Sequence, residues 1–160
     1  MKKYFILFIA ILSLFLSACS SQNSQVNLKP FDKRYKNYYL ENISIQKFDD
    51  KVIKTFSTEL DTALKGYGYE TGDQLGIKYE ILTFDKGNRA LRYFVGFGAD
   101  KATATIKTTL ENKQKKALGS IITDASLSIG VFGGDDLIPI INAAKDVAKK
   151  IHESGILINK

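Results

Sequence analysis

The stretch Lys101-Ala-Thr-Ala-Thr-Ile-Lys-Thr-Thr-Leu110 decides the class of fold. Small and apolar residues occupy every second position from Ala102, and threonine or lysine occupies the positions between them. Because successive side chains of a β-strand point to opposite faces, this period of two predicts a strand with one face in the core and one in water. Such a strand needs neighbouring strands and a second layer that covers its apolar face.

Segments on both sides of this stretch predict the neighbouring strands. Residues 38–48 and 76–84 are rich in β-branched and aromatic residues, and their apolar positions partly alternate. Residues 89–97 predict a further strand. After the charged turn at 111–116, residues 117–128 can return antiparallel as the last one.

Two amphipathic patterns predict helices. Asp49 and Asp50 are candidate N-caps for apolar residues that recur at helical spacing until Gly66 and Gly68. A closing helix follows from Asp136. The order strand, helix, three or four strands and helix predicts a two-layer α+β domain. We expect a mostly antiparallel sheet of four to five strands with two helices on one face.

The N-terminus predicts export and lipidation. Lys2 and Lys3 precede a short apolar run over 4–16, and small residues follow before Cys19. These are the parts of a secretion signal, and the run is too short for a comfortable membrane span. We expect residues 1–18 to be removed and Cys19 to carry the acyl chains of a bacterial lipoprotein, which anchor it in a lipid bilayer.

Two alternatives to lipidation remain open: an ordinary secretory signal with an incidental Cys19, or an amphipathic first helix that stays in the fold. Cys19 is the sole cysteine of the chain and cannot form an internal disulfide, which favours lipidation. Ser20 and Ser21 follow it, without the aspartate that retains many lipoproteins at the inner membrane. By resemblance to Gram-negative lipoproteins, we expect an outer-membrane location facing the periplasm.

Small polar residues follow the anchor. Residues 20–27 have almost nothing to bury and predict a flexible tether. The expected organisation is therefore a signal at 1–18, a lipidated tether at 19–29 and a single periplasmic domain at 30–160. Tyr35, Tyr38 and Tyr39 cluster near this tether and would mark a contact surface if they were exposed.

Composition excludes several functions. The 160 residues carry a formal net charge of +6, and because bases are interspersed with acids we expect no nucleic-acid partner. His152 is the sole histidine, and no cysteine lies near it in the sequence. Catalysis by a cysteine–histidine pair and a metal site with several histidines are therefore excluded. No Gly-x-Ser-x-Gly elbow occurs. We expect no enzymatic activity, no cofactor and no metal.

The stretch 84–102, followed by Gly130-Val-Phe-Gly-Gly134 before the last helix, resembles the bacterial lipoprotein family of domain of unknown function 4410. The similarity runs from the first strand to Ile151. It implies a small envelope domain and brings no established activity, cofactor or catalytic residue. Asp100 departs from the pattern, which has a third glycine there. A weaker, topological resemblance to the lipoprotein family of the curli secretion pore implies a shared periplasmic fold without the channel.

One motif has the chemistry of an anion site. Gly96 and Gly98 lie near Arg89 and Arg92, so backbone amides and guanidinium groups could meet a phosphate or carboxylate. Paired glycines inside a strand pattern also mark a bulge or a bend, and this alternative remains open.

The sequence therefore predicts an anchored, non-enzymatic binding or assembly module of the Gram-negative envelope. Its expected partners are the bilayer, through acylated Cys19, and an envelope protein or further copies of the chain. The alternative function is an anion, phospholipid or cell-wall-glycan binding domain that uses Arg89 and Arg92. A hydrolase is the third possibility.

Overall fold

The computed structural model describes residues 20–87, 101–128 and 135–159. Within these ranges six strands form one sheet and two helices pack on it. The elements are β1 (Ser20–Leu28), β2 (Asn37–Asn42), α1 (Asp50–Gly66), β3 (Glu70–Thr71), β4 (Leu75–Asp85), β5 (Lys101–Asn112), β6 (Ala117–Ser128) and α2 (Ile138–Ser154).

The sheet is mixed, and its order is β1-β6-β5-β4-β2-β3. Strands β1, β6, β5 and β4 pair antiparallel, whereas β2 pairs parallel with both β3 and β4. The α+β class is confirmed, but the prediction of four to five mostly antiparallel strands is wrong. Helix α1 lies between β2 and the next strands, and such a crossover returns the chain to the end of the sheet where it started, so the strands run parallel.

Residues 20–28 differ most from the sequence prediction. They form β1, which pairs with β6 from Ser20 opposite Leu127 to Leu28 opposite Gly119. Ladder hydrogen bonds join backbone groups, so a polar stretch can extend a sheet without burying apolar side chains. The prediction of a flexible tether is therefore wrong for these residues.

The core lies between the two helices and one face of the sheet. In β5, Ala102 and the alternate residues after it are buried, which confirms the predicted alternation. Phe56 of α1 and Ile140 of α2 are fully buried in the same core. Asp49 caps α1, because its Oδ1 accepts a hydrogen bond of 2.9 Å from the Lys51 amide, as predicted.

The first predicted strand is shorter than expected. Strand β2 ends at Asn42, and Ile45 is 89% exposed. Tyr35 and Tyr38 are buried and Tyr39 is half-buried, so these rings are not an exposed contact surface. The strand predicted for 89–97 lies outside the described residues.

Candidate functional site

The site residues that the sequence predicts lie outside the described ranges. They are the predicted lipidation residue and the predicted anion-binding group, Cys19, Arg89, Arg92, Gly96 and Gly98. Their roles stay predictions. The candidate site that the structure does describe is formed by other residues.

A cleft of about 680 Å³ opens at the end of the sheet where β1 and β5 finish. Residues 29–36, which connect β1 to β2, form one wall. The turn at 113–116, which connects β5 to β6, contributes to the other. Gln74 and Ile158 also line it. Two loops that are far apart in the sequence therefore meet around one space.

This cleft is strongly basic, and we call it the basic cleft. Six cationic side chains line it, all on residues that are exposed: Lys29, Lys33, Arg34, Lys36, Lys113 and Lys116. Among the described residues of its lining, Asp32 is the one carboxylate. Walls with an excess of one sign raise the local concentration of the opposite ion, so the cleft attracts anions.

Among the described residues, most of these charges have no counter-charge. Lys113 does, because its Nζ lies 2.8 Å from Asp73 Oδ2, and this hydrogen bond holds the pKa of Asp73 below its ordinary value. Lys33 Nζ lies 5.9 Å from the centre of the Tyr35 ring. In the described part of the chain, the other five cations of the basic cleft form no ion pair with a carboxylate. A bound anion would supply the missing charge.

Hydrogen bonds fix the backbone beneath these exposed side chains. The Lys29 amide donates to the Leu118 carbonyl at 2.9 Å, and the Lys36 amide donates to Gln74 Oε1 at 3.0 Å. In the opposite wall, Asn112 Oδ1 accepts a hydrogen bond of 3.0 Å from the Lys116 amide. The loops are thus held in place while the long cationic side chains can adapt to a ligand.

Strand β1, which leads into the 29–36 wall of the basic cleft, is also attached to the helix layer. Ser24 Oγ donates to Asp146 Oδ2 of α2 and lies 2.6 Å from Thr123 Oγ1 of β6. Thr123 is fully buried, so this polar contact lies at the inner face of the sheet. It joins β1 both to the neighbouring strand and to the helix layer.

Local composition contained a signal for this site that the whole-chain charge conceals. Residues 29–36 carry four cations and one acid, and residues 113–116 carry three cations and no acid. Each run is ordinary for a solvated loop. Their meeting depends on the pairing of β5 with β6, which the sequence predicted, and on the pairing of β1 with β6, which the tether prediction excluded.

His152 packs against two tyrosines. Its ring stacks on the Tyr67 ring with 4.2 Å between centres, and Tyr69 Oη lies 2.7 Å from its Nδ1. Burial, followed by the charge of Tyr67, raises the pKa of Tyr69, so this phenol is a poor nucleophile at neutral pH. The sole histidine therefore stacks on one tyrosine and is hydrogen-bonded to the other.

Two further features are absent from the described residues. No group of three or more histidine, cysteine, aspartate or glutamate side chains there is placed to hold a metal ion. Nor does that part of the chain contain a helix long and apolar enough to cross a membrane.

The fold and its lining residues define a small α+β domain with one basic cleft between two loops among the described residues. The chain belongs to the family of domain of unknown function DUF4410, whose family model matches residues 30–130, more than half of the sequence. This confirms the family expected from the stretch 84–102. No curated protein matches the chain.

Two solved structures are similar to this chain at low sequence identity, and the first of them shares its fold. A PelC dodecamer from Paraburkholderia phytofirmans matches with a TM-score of 0.54 and 7% identity, over 79% of this chain and 94% of that one. A minor lipoprotein from Acinetobacter baumannii has a TM-score of 0.42 and 15% identity, over 75% of this chain and 91% of that one.

Proposed function

We propose that the protein is a lipid-anchored, non-enzymatic binding module of the Gram-negative envelope and that its ligand is anionic. The basic cleft is the observation that carries this proposal: six cations line one space, and five of them have no ion-pair partner among the described residues. The proposed anchor is acylated Cys19, and the proposed location is the periplasmic side of the outer membrane. Both rest on the signal-like N-terminus and the family.

The proposal needs no chemistry beyond binding. Lysine and arginine side chains recognise phosphate and carboxylate groups by charge-assisted hydrogen bonds. The two loops also supply apolar surface, because Phe31 and Leu118 are half-buried in the same lining. An anion with an attached apolar or ring-shaped part therefore fits the basic cleft better than a bare inorganic ion does.

The first test measures retention of the full lipidated chain, in neutral detergent, on purified cell-wall sacculi over a range of salt. We expect the double variant Lys33→Glu/Arg34→Glu to bind about tenfold more weakly than the wild type at low salt. We expect binding of the wild type to fall as salt rises, because these charges are exposed and screened.

Lys51→Glu/Lys54→Glu is the matched control. It changes the charge by the same amount on the exposed surface of α1 and removes no cation of the basic cleft. Equal losses for the two double variants would mean that net charge, and not the basic cleft, governs binding. Labelling with a palmitate analogue tests the anchor, because Cys19→Ala should abolish the label.

A second candidate function is self-assembly. The chain shares its fold with PelC, whose solved structure is a dodecamer. Strand β1 lies at an edge of the sheet and has no charged residue and no proline, the devices that usually protect an edge from pairing. Light scattering on the purified lipoprotein in detergent tests this candidate. A strict monomer at micromolar concentration would contradict it.

A further inference from the structure

We propose that the basic cleft faces away from the bilayer that anchors the protein and binds a carboxylate-bearing cell-wall glycan on the far side, not the headgroups of that bilayer. This inference rests on the lipid anchor and the anion binding of the proposed function. It adds the direction in which the site points and the class of its ligand.

The first step is a distance. Cys19 directly precedes Ser20, the first residue of β1, and Lys29 directly follows Leu28, the last. A strand rises about 3.3 Å per residue, so the nine positions from Ser20 to Lys29 separate the anchor from the basic cleft by about 30 Å.

The second step is rigidity. A flexible leash of the same length would let the basic cleft fold back to the membrane. Residues 20–28 are instead paired with β6 along their whole length, and Ser24 is hydrogen-bonded to Asp146 of α2. β1 therefore acts as a spacer that holds the two ends of the domain apart.

The third step is the range of the charges. In the proposed orientation β1 stands upright on its anchor, so the charges of the basic cleft lie about 30 Å from the lipid surface. At physiological ionic strength the Debye length is about 8 Å, and charges at that distance are almost fully screened from the surface. The basic cleft can then neutralise its cations with anions that reach it from the periplasmic side.

The fourth step is the chemistry of that ligand. Pro30 and Phe31 place apolar surface directly beside Lys29 and Lys33. Sugar rings have apolar faces, and the peptide stems of a cell-wall glycan carry carboxylates that lysine and arginine bind. A polymer also engages several cations at once, which suits a lining with many separate charges.

The test uses the full lipidated chain in phosphatidylcholine vesicles and measures capture of the vesicles by purified sacculi. We expect capture by wild-type vesicles, about tenfold less by Lys33→Glu/Arg34→Glu vesicles, and no loss with Lys51→Glu/Lys54→Glu. The measurement is repeated with part of the phosphatidylcholine replaced by phosphatidylglycerol, with capture by the cleft variant subtracted as background. Capture should not change, because headgroups in the same bilayer do not reach the basic cleft.

The other outcomes separate the two proposals. If phosphatidylglycerol in the same vesicle suppresses cleft-dependent capture, the cleft binds its own bilayer, and the inference fails while anion binding stands. If wild-type vesicles are not captured but the protein in detergent binds sacculi through Lys33 and Arg34, the cleft does not face outward, and the inference again fails. If neither form binds sacculi or anionic vesicles, the proposed function itself is wrong.

Discussion

The open face of the sheet, on the side away from the helices, and the basic cleft are both polar. They differ in how many of their charges have a partner within the protein. On the open face, Lys78 Nζ lies 3.4 Å from Glu41 and 3.1 Å from Glu111, and Thr105 Oγ1 donates to Asp124 at 2.7 Å. The charge of Lys78 is therefore paired within the sheet, and Thr105 has a hydrogen-bond partner there. In the basic cleft, Asp73 pairs with one of the six cations and leaves the others unpaired among the described residues.

The comparison distinguishes polar groups that are paired within the fold from polar groups that are available to a ligand. A surface whose charges are neutralised in place gains little from a ligand, because the ligand would have to replace existing partners. A concave surface of one sign gains a counter-charge when an anion binds. The following four variants should therefore act on different properties, depending on the region that they alter.

The largest expected effect comes from separating β1 from β6 beside the basic cleft. A Cβ added at Gly119 would contact the Asn27 carbonyl oxygen and lie 2.7 Å from Leu28 Cα, both backbone atoms. Gly119→Ala should lower the free energy of unfolding by about 2–3 kcal/mol, measured by urea denaturation, and weaken binding to sacculi. Gly66→Ala, with open space around it, is the control and should cost nothing.

A smaller effect is expected from the contact between β1 and α2. Asp146→Ala removes the charged acceptor of the Ser24 hydroxyl and should lower the free energy of unfolding by about 1–2 kcal/mol. Hydrogen exchange should quicken most at the β1 amides. Lys145→Ala, an exposed neighbour on the same helix, should change neither measurement by much. Uniform exchange changes across the sheet would contradict a local role.

Asp73→Asn removes a negative charge beside the basic cleft and so makes the cleft more basic. The variant frees Lys113 from its ion pair, so binding to sacculi at low salt should tighten by about threefold. Because Lys113 holds the pKa of Asp73 below its ordinary value of 3.8, the aspartate is charged at neutral pH and the wild type keeps this pair. Unchanged or weaker binding would count against the basic cleft as the anion site.

The smallest effect is expected on the open face. Contact with Glu111, then the charges of Glu111 and Glu41, raise the pKa of Lys78. The stability that this shift provides is fully present below the ordinary pKa of 10.5 and is lost as the pH rises through the higher folded pKa. Lys78→Gln should therefore lower stability slightly at neutral pH, with the difference from wild type vanishing in strong alkali. Binding to sacculi should not change.

Much of the fold followed from local patterns. The alternation in β5 and the helical spacing after Asp49 predicted elements that the structure confirms, because a period of two or of 3.6 follows directly from backbone geometry. The missed elements are the edge strands. β1 is polar and β3 has two residues, so neither carries the apolar alternation by which a strand is predicted.

The candidate site was not predictable to the same degree. Lys33 and Lys116 are some eighty positions apart in the sequence, and each lies in a loop that reads as an ordinary solvated turn. The anion site that the sequence predicts uses Arg89 and Arg92, because arginines and glycines lie within ten positions of one another there. Adjacency along the chain is visible in a sequence, whereas convergence across a sheet requires the strand order.

The sequence by itself determined the signal-like start, the α+β class, the two helices and the central strands, because each depends on residues within one turn or one strand. The tertiary structure decided that the polar stretch after Cys19 is an edge strand, that β2 runs parallel to β4, and that two basic loops share one cleft. Those features depend on backbone hydrogen bonds between distant segments. Such bonds form whatever the side chains are, so they leave no mark in the side-chain pattern from which secondary structure is predicted.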